Sequence, residues 1–420
     1  MHKKTILENG LRVVTTTMPH TYSVTVSFFT GIGSRYERPE QAGISHFIEH
    51  LLFKGNTRRP TSRAISSAIE SVGGALNGGT DKETTLYWVR VARSDFNLAI
   101  EVLTDMFLHS LFQPAEIERE RHVIGEEINM VKDSPEQQVH MLIDEILWPG
   151  HPLGRDIAGS METVEKIDRA MMLDFMKVNY LPQNTVISIA GNIEHDEAVE
   201  AMRAATTGWD GSSEVPVFEP WTGGTNPRML VEEKDTEQAH LCLALPGIPL
   251  RHPDRFALDL MNIMLGEGMS SRLFSEIRDN LGLTYNISSY VDYLLDTGAV
   301  SVAASVEPED LPVTIEAILK QLALMKEPVP ADEFERAKSL ARGRLLLRME
   351  DTRSVTGWMG GQEIQTGTIM TVEEVVRKID AVTLDQVQRV ACNLMTTEAL
   401  RMAVVGPVKD IKGLEEFLKL

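Results

Sequence analysis

Two histidines and a glutamate lie close together in an otherwise apolar segment. The segment ISHFIEHLLF spans residues 44–53 and includes His46, Glu49 and His50. On a helix, His46 and His50 lie about 40° apart, and Glu49 borders the same narrow stripe. Buried ionisable groups are costly unless they meet a partner. Two imidazoles one turn apart can bind one cation, as is typical of zinc, and the glutamate could take a proton from a nearby water.

A catalytic zinc site also needs a third protein ligand, usually from another element. The candidate is the predicted helix AEIERERHVIGEEINMV at residues 115–131, in which Glu120 and Glu127 lie in the middle of the apolar face. With no Lys or Arg beside them, these two carboxylates would need a cation, which zinc and its histidines would supply. The alternative is a surface helix whose acidic side chains reach solvent.

The elements that hold these residues belong to the first of two similar halves. Matching segments are 94–103 with 309–319, 112–120 with 329–336, and 186–193 with 400–408. The three pairs are each separated by about 215 residues, which indicates an internal duplication. The Gly-, Pro- and Ser-rich stretch 211–228 is a predicted linker, which gives domains at 1–210 and 229–420.

Alternating and periodic patterns predict how each half folds. The clearest predicted strands are Arg12 to Thr17, Ser23 to Phe29 and Thr84 to Ala92, and the clearest helices are 94–110 and 115–133. Strands mixed with helices packed on one side favour an α+β fold class.

The second half lacks the polar stripe. When LLFKG at 51–55 is aligned with MLGEG at 264–268, the three stripe positions fall on Asp259, Asn262 and Ile263. If both halves share a fold, the fold does not require the stripe. This favours a chemical role for it.

The bulk properties exclude several classes of protein. The 420 residues carry a formal net charge of −20, which disfavours nucleic acid and anionic membranes as partners. The acidity could attract a basic ligand or only keep the protein soluble. No apolar run is long enough for a membrane span and the N-terminus has no signal-peptide pattern, so we expect a cytoplasmic protein. Cys242 and Cys392 are too far apart in sequence for a zinc motif, and each is expected to be buried and free of disulfides.

Several motifs together resemble the pitrilysin and insulinase family of zinc metallopeptidases, M16, whose inverted motif is H-x-x-E-H. The matching stretches are GISHFIEHLLFKG at 43–55, VGGALNGGTDKETTLYW at 72–88, ERERHVIGEEI at 118–128, HPLGRDIAG at 151–159 and GMSSRLFSEIRDNLGLTY at 268–285. The chain length resembles the short, processing-peptidase-like bacterial branch. The resemblance implies two homologous α+β domains of the LuxS and processing-peptidase type, each a mostly antiparallel sheet with helices packed on it.

The resemblance also implies a role for individual residues. It makes His46, His50 and Glu127 the ligands of one Zn²⁺ per chain, and Glu49 the general base. Glu120 matches an acid that supports the ligands. Arg278 and Tyr285 match a pair that helps to hold the substrate carbonyl, and Asn77 matches a residue that contacts the substrate backbone. The family usually has Ala where Gly78 stands.

The implied function is a zinc endopeptidase that cleaves peptides or unfolded, presequence-like segments inside a closed chamber. A homodimer is the simplest assembly, and a heterodimer with an inactive sister subunit is the alternative. Two other functions stay open: a non-catalytic structural or assembly subunit, like the respiratory-complex core proteins that resemble this family, and a binder of basic peptides.

Overall fold

Two β-sheets with corresponding strand orders form the framework of the protein. The computed structural model describes residues 2–211, 214–224, 227–408 and 411–420. The first sheet has the order β1-β2-β6-β3-β5-β4, with β1 (Lys3–Ile6), β2 (Arg12–Thr17), β3 (Ser23–Thr30), β4 (Ala75–Thr80), β5 (Thr85–Ala92) and β6 (Thr185–Gly191). The second has the order β7-β11-β8-β10-β9, with β7 (Met229–Glu233), β8 (Ala239–Pro246), β9 (Thr284–Tyr293), β10 (Gly298–Val306) and β11 (Arg401–Gly406).

The strand pairing confirms the predicted fold class. The pairs β2–β6 and β7–β11 are parallel, and every other pair of neighbours is antiparallel. The first sheet without β1, in the order β2-β6-β3-β5-β4, therefore corresponds strand by strand to the second sheet, β7-β11-β8-β10-β9. The three strands predicted in the first half are β2, β3 and β5, with ends that differ by at most about one residue.

Fifteen α-helices lie in the described part of the chain. They are α1 (Ile44–Leu52), α2 (Ser62–Glu70), α3 (Phe96–His109), α4 (Pro114–Asp133), α5 (Pro135–Leu147), α6 (Met161–Lys166), α7 (Arg169–Asn179), α8 (His195–Ala205), α9 (Arg255–Gly266), α10 (Leu311–Leu324), α11 (Ala331–Arg348), α12 (Thr352–Thr366), α13 (Val372–Ala381), α14 (Leu384–Leu394) and α15 (Ile411–Glu415). A π-helical segment covers Phe274–Asn280. The two long helices predicted in the first half are α3 and α4.

The chain forms two compact units, and each combines most of one half with a segment of the other. Unit 1 contains Met1–Ile128, Asp156–Glu219 and Leu346–Thr371, and unit 2 contains Asn129–Arg155, Pro220–Leu345 and Val372–Leu420. Helix α12 packs on β2, β3 and β6 within unit 1, and α5 packs on β7, β8 and β11 within unit 2. Residues 212–213 and 225–226 of the predicted linker lie outside the described residues.

Strand β3 is buried on both faces, although Ser and Thr residues are interspersed with its apolar ones. Val26 and Phe28 belong to the core that includes α1 and α3, whereas Phe29 packs on the other face with Val355 and Met359 of α12. A Cβ atom at Gly360 would lie 2.1 Å from the ring of Phe29, so glycine allows α12 to approach the sheet closely. Strand β3 is thus fixed from both sides.

Two further expectations concern the cysteines and membrane-spanning segments. Cys242 and Cys392 are both free thiols, but only Cys242 is buried, so the expected burial of Cys392 is wrong. Cys392 lies on the exposed side of the amphipathic helix α14. Across the described residues, no helix combines the length and apolar character that crossing a bilayer requires.

Candidate metal centre

The helix α1 is held at its start by contacts that fix its direction. Gly43, just before the helix, has φ +94°, and a Cβ atom there would lie 2.4 Å from the carbonyl oxygen of Ala158. The buried carboxylate of Glu37 accepts hydrogen bonds from the backbone N–H groups of Gly43 and Ser45, each at 2.8 Å. The buried apolar residues of α1 are Ile44, Phe47, Ile48, Leu51 and Leu52. Burial of this face leaves the ionisable stripe partly exposed.

The helix α4 brings two glutamates to this stripe. Ile117, Ile124 and Ile128 are buried in the core of unit 1 and set the rotation of α4. The side chain of Glu120 is only 2% exposed, whereas that of Glu127 keeps 37% exposure. Both acids therefore face α1, but in different surroundings.

Three ligand atoms form a compact triangle. The Nε2 atoms of His46 and His50 are 3.2 Å apart. Oε2 of Glu127 lies 3.7 Å from Nε2 of His46 and 3.5 Å from Nε2 of His50. Tetrahedral zinc with bonds of about 2.0–2.1 Å places its ligand atoms about 3.3 Å apart. The donor set and its spacing fit a zinc ion. Among the described residues, His46, His50 and Glu127 are the one group of three or more His, Cys, Asp or Glu side chains with a spacing that could hold a metal ion.

Glu120 supports this triangle from behind. Its Oε2 lies 3.1 Å from Nδ1 of His50, and because a carboxylate only accepts, Nδ1 of His50 donates. That hydrogen bond leaves Nε2 for the cation. Oε1 of Glu120 is 2.7 Å from Nζ of Lys54. The sequence-based argument that no Lys or Arg lies beside Glu120 is therefore wrong, since Lys54, just beyond α1, pairs with it.

The surroundings shift the pKa values of the imidazoles in opposite directions. Burial, with a smaller effect from His50, lowers the pKa of His46 to about 4, so His46 is neutral and its lone pair is free at neutral pH. Burial alone would lower the pKa of His50, but the hydrogen bond to Glu120 and the charges of Glu127 and Glu49 raise it. Nδ1 of His46 is buried and has no hydrogen-bond partner among the described residues.

Glu49 is held by the neighbouring edge strand. Its Oε2 accepts a hydrogen bond of 3.1 Å from the hydroxyl of Thr80, the last residue of β4. Burial raises the pKa of Glu49, although the charge of His50 and the hydrogen bond from Thr80 oppose the shift. For Glu120, burial acts in the raising direction, but the hydrogen bonds with His50 and Lys54 lower the pKa overall.

Comparison with known proteins shows to which family the chain belongs. A family model described as "Insulinase (Peptidase family M16)" matches residues 12–161, and one described as "Peptidase M16 inactive domain" matches residues 166–340. "Uncharacterized zinc protease YmxG" of Bacillus subtilis is 35% identical, over 97% of this chain and 98% of that protein. The chain belongs to peptidase family M16.

Solved structures support the M16 fold. A protease from Helicobacter pylori matches with a TM-score of 0.89 and 22% identity, over 97% of this chain and 99% of the other. A chain of complex III2 from Candida albicans matches with a TM-score of 0.83 and 18% identity, over the full length of both. The resemblance inferred from the sequence is therefore confirmed at the level of family and fold.

The remaining residues that the M16 resemblance singled out lie apart from the triangle in sequence. Asn77 is exposed on β4, and its side-chain oxygen accepts a hydrogen bond of 2.8 Å from N–H of Gly78. Arg278 and Tyr285 lie next to each other in unit 2, where the guanidinium is 4.3 Å from the centre of the Tyr285 ring. Tyr285 is 80% exposed. The roles of all three stay predictions.

Sequence reasoning missed four residues that organise this M16 centre. Glu37 caps α1 from six residues before Gly43, outside the usual capping position, so local patterns gave no signal. Lys54 is part of the family-like stretch but follows the helix. Thr80, and Glu83 in the turn after β4, whose side chain pairs with that of Arg35, depend on how the β4–β5 hairpin packs within unit 1, which the sequence does not reveal.

Proposed function

We propose that the chain is a zinc-dependent endopeptidase that hydrolyses peptides or unfolded, presequence-like segments. The triangle of His46, His50 and Glu127 carries the proposal, because its edges of 3.2–3.7 Å suit one tetrahedral zinc per chain. The relative named as a zinc protease supports the choice of metal and of reaction.

Each side chain then has a defined task. A zinc ion bound here would polarise a peptide carbonyl and acidify a water molecule. Glu49 would accept the proton of the attacking water and pass it to the leaving amine. Glu120 would keep Nδ1 of His50 protonated and its ring oriented. By the family resemblance, Tyr285 and Arg278 would help to hold the substrate carbonyl oxygen.

The substrate would bind as an added β-strand. Strand β4 ends the order of its sheet and pairs with β5 on one side, so its other edge can accept an extended peptide. Asn77 lies exposed on this edge strand, where its amide could bond the peptide backbone. Backbone pairing makes few demands on side chains, which suits unfolded segments. In keeping with the family resemblance, two copies of the chain would form a homodimer that encloses the site in a chamber. The cytoplasm, expected from the sequence, is the proposed compartment.

A second candidate is a non-catalytic structural or assembly subunit. The fold likeness to a chain of complex III2 supports it, since that protein is part of a larger assembly. The enzyme remains the better proposal, because an assembly role does not require imidazole nitrogens 3.2 Å apart beside a glutamate. A scaffold would be as well served by apolar residues at these positions.

Metal analysis combined with peptide cleavage tests the proposal. Wild-type protein should contain one zinc per chain and cleave unstructured fluorogenic peptides. Glu127→Gln should lose zinc, whereas Glu126→Gln, which changes the exposed neighbour on α4, should keep it. Glu49→Gln should keep zinc but lose about 10²- to 10⁴-fold in kcat. Zinc-loaded wild-type protein that cleaves no unfolded peptide would instead support the assembly subunit.

A further inference from the structure

The hydrogen bond to Glu49 comes from a residue with no assigned role. The Thr80 hydroxyl donates to Oε2 of Glu49 at 3.1 Å. A carboxylate can accept at both of its oxygens, so a hydrogen bond at Oε2 can hold the group while it takes a proton. Thr80 therefore holds one side of the group that the proposed function makes the general base.

Thr80 is itself held firmly. It pairs across the hairpin with Thr85, and the turn that follows is closed by a hydrogen bond of 2.8 Å from N–H of Asp81 to the carbonyl of Thr84. Glu83 in this turn pairs with Arg35 at 2.5 Å, and both side chains are at most 3% exposed. This buried ion pair ties the turn to the neighbouring segment of unit 1 that carries Arg35.

The backbone around Arg35 adds to this anchoring. N–H of Ser34 donates to the carbonyl of Asp81 at 3.2 Å, and N–H of Arg35 donates to the carbonyl of Lys82 at 2.8 Å. Gly33 allows this contact, because a Cβ atom there would lie 2.1 Å from the carbonyl oxygen of Asp81. The hydroxyl of Thr80 is thus presented to Glu49 from a rigid base.

We propose that Thr80 is a positioning residue that holds the Glu49 carboxylate in the orientation needed for proton transfer. This inference rests on the proposed function. The accepting atom of a general base must lie within about 2.6–3.2 Å of the heavy atom whose proton it removes. A glutamate side chain turns about several bonds, so an unanchored carboxylate would spend much of its time out of reach. Thr80 would therefore act on kcat rather than on substrate or metal binding.

Substitution with valine tests this idea, because valine keeps the shape of threonine and removes the hydroxyl. Thr80→Val should lower kcat between about 10- and 100-fold, the range expected when a reacting group is misplaced. KM and zinc content should stay at wild-type values. Thr80→Ser, which keeps a hydroxyl, should recover most of the activity.

Thr85→Val is the matched control. Thr85 is the cross-strand partner of Thr80, but its hydroxyl donates to the carbonyl of Ile32 at 2.9 Å instead of to Glu49. Its loss should lower the Tm and leave kcat of the folded enzyme close to the wild-type value. If Thr85→Val lowers kcat as much as Thr80→Val does, the effect is one of hairpin stability and the proposal fails.

A crystal structure of the metal-free protein gives a readout without activity. The Glu49 carboxylate should occupy one position in the wild type and several in Thr80→Val. If wild-type protein cleaves no peptide, the proposed function fails, and the crystal structures still decide whether Thr80 fixes Glu49. Unchanged kcat in an active enzyme, an unmoved carboxylate, or failure of Thr80→Ser to restore activity would overturn the role of Thr80.

Discussion

Replacing Lys54 with methionine should weaken both the fold of unit 1 and the metal centre. Nζ of Lys54 lies 2.7 Å from Oε1 of Glu120, whose side chain is only 2% exposed. The other oxygen of Glu120 accepts from Nδ1 of His50 at 3.1 Å. Methionine fills a similar volume without charge, so Lys54→Met leaves a buried carboxylate with the imidazole as its remaining partner.

The size of the effect follows from burial. Removing one partner of a fully buried ion pair costs about 3–5 kcal/mol, whereas exposed pairs contribute about 0–1 kcal/mol. Lys54 is 27% exposed while Glu120 is buried, so the pair lies between these limits. We expect a loss of about 2 kcal/mol, or a Tm about 4–8 °C lower for a unit of this size. A less well oriented His50 should weaken zinc binding about 10- to 100-fold.

A double-mutant cycle decides whether this reasoning holds. The free energy of unfolding of the metal-free protein should be measured for Lys54→Met, Glu120→Gln and the double variant. The double variant should lose less than the sum of the two single losses, because it leaves no unpaired buried charge. Lys54→Arg, which keeps the charge, should behave more like the wild type. Additive losses, or a Lys54→Met variant with wild-type Tm and zinc affinity, would refute the pairing as the source of stability.

Two further predictions concern the elements around the centre. Gly43→Ala should cost at least about 2 kcal/mol in denaturant unfolding, because φ is +94° and a Cβ atom would strike a carbonyl oxygen. Gly361→Ala, at an open helical position, is the control and should be neutral or stabilising. His195 lies 2.8 Å from the hydroxyls of both Thr5 and Thr15, and burial lowers its pKa. Its contribution should therefore be complete above about pH 6.5 and decline as the pH falls, because the unfolded chain takes up the proton first. His195→Gln should lose less stability than the wild type between pH 8 and pH 5, and equal losses would contradict this.

The parts of the site that the sequence predicts depend on periodicity within single helices. His46 and His50 are one turn apart, and Glu120 and Glu127 are about two turns apart, so each pair must share a face wherever its helix lies. The same regularity predicts α3 and α4 within a few residues. That the two pairs meet is predicted from chemistry, because buried carboxylates need a cation. The spacing of the three ligand atoms agrees with this prediction.

The parts that could not be predicted depend on contacts between elements. Lys54 lies just beyond the end of α1, and its direction is set by the turn there rather than by a helical period. Thr80 reaches Glu49 because β4 lies beside α1, which only the sheet order determines. The same limit applies to α5 and α12, since an amphipathic pattern shows which face of a helix is buried but not which sheet covers it.

In unit 2, the polar side chains aligned with the proposed metal site have hydrogen-bond partners of their own. At the positions aligned with His46 and Glu49, Asp259 accepts from the hydroxyl of Tyr293 at 2.7 Å and Asn262 accepts from the hydroxyl of Ser289 at 2.6 Å. These polar side chains are satisfied within unit 2, so they need no cation. We therefore expect a stoichiometry of one zinc per chain, falling close to zero in Glu127→Gln when measured by elemental analysis. Two zinc ions per chain, or one retained in that variant, would mean that another set of residues binds metal and that the loss of the stripe is not what separates the two halves.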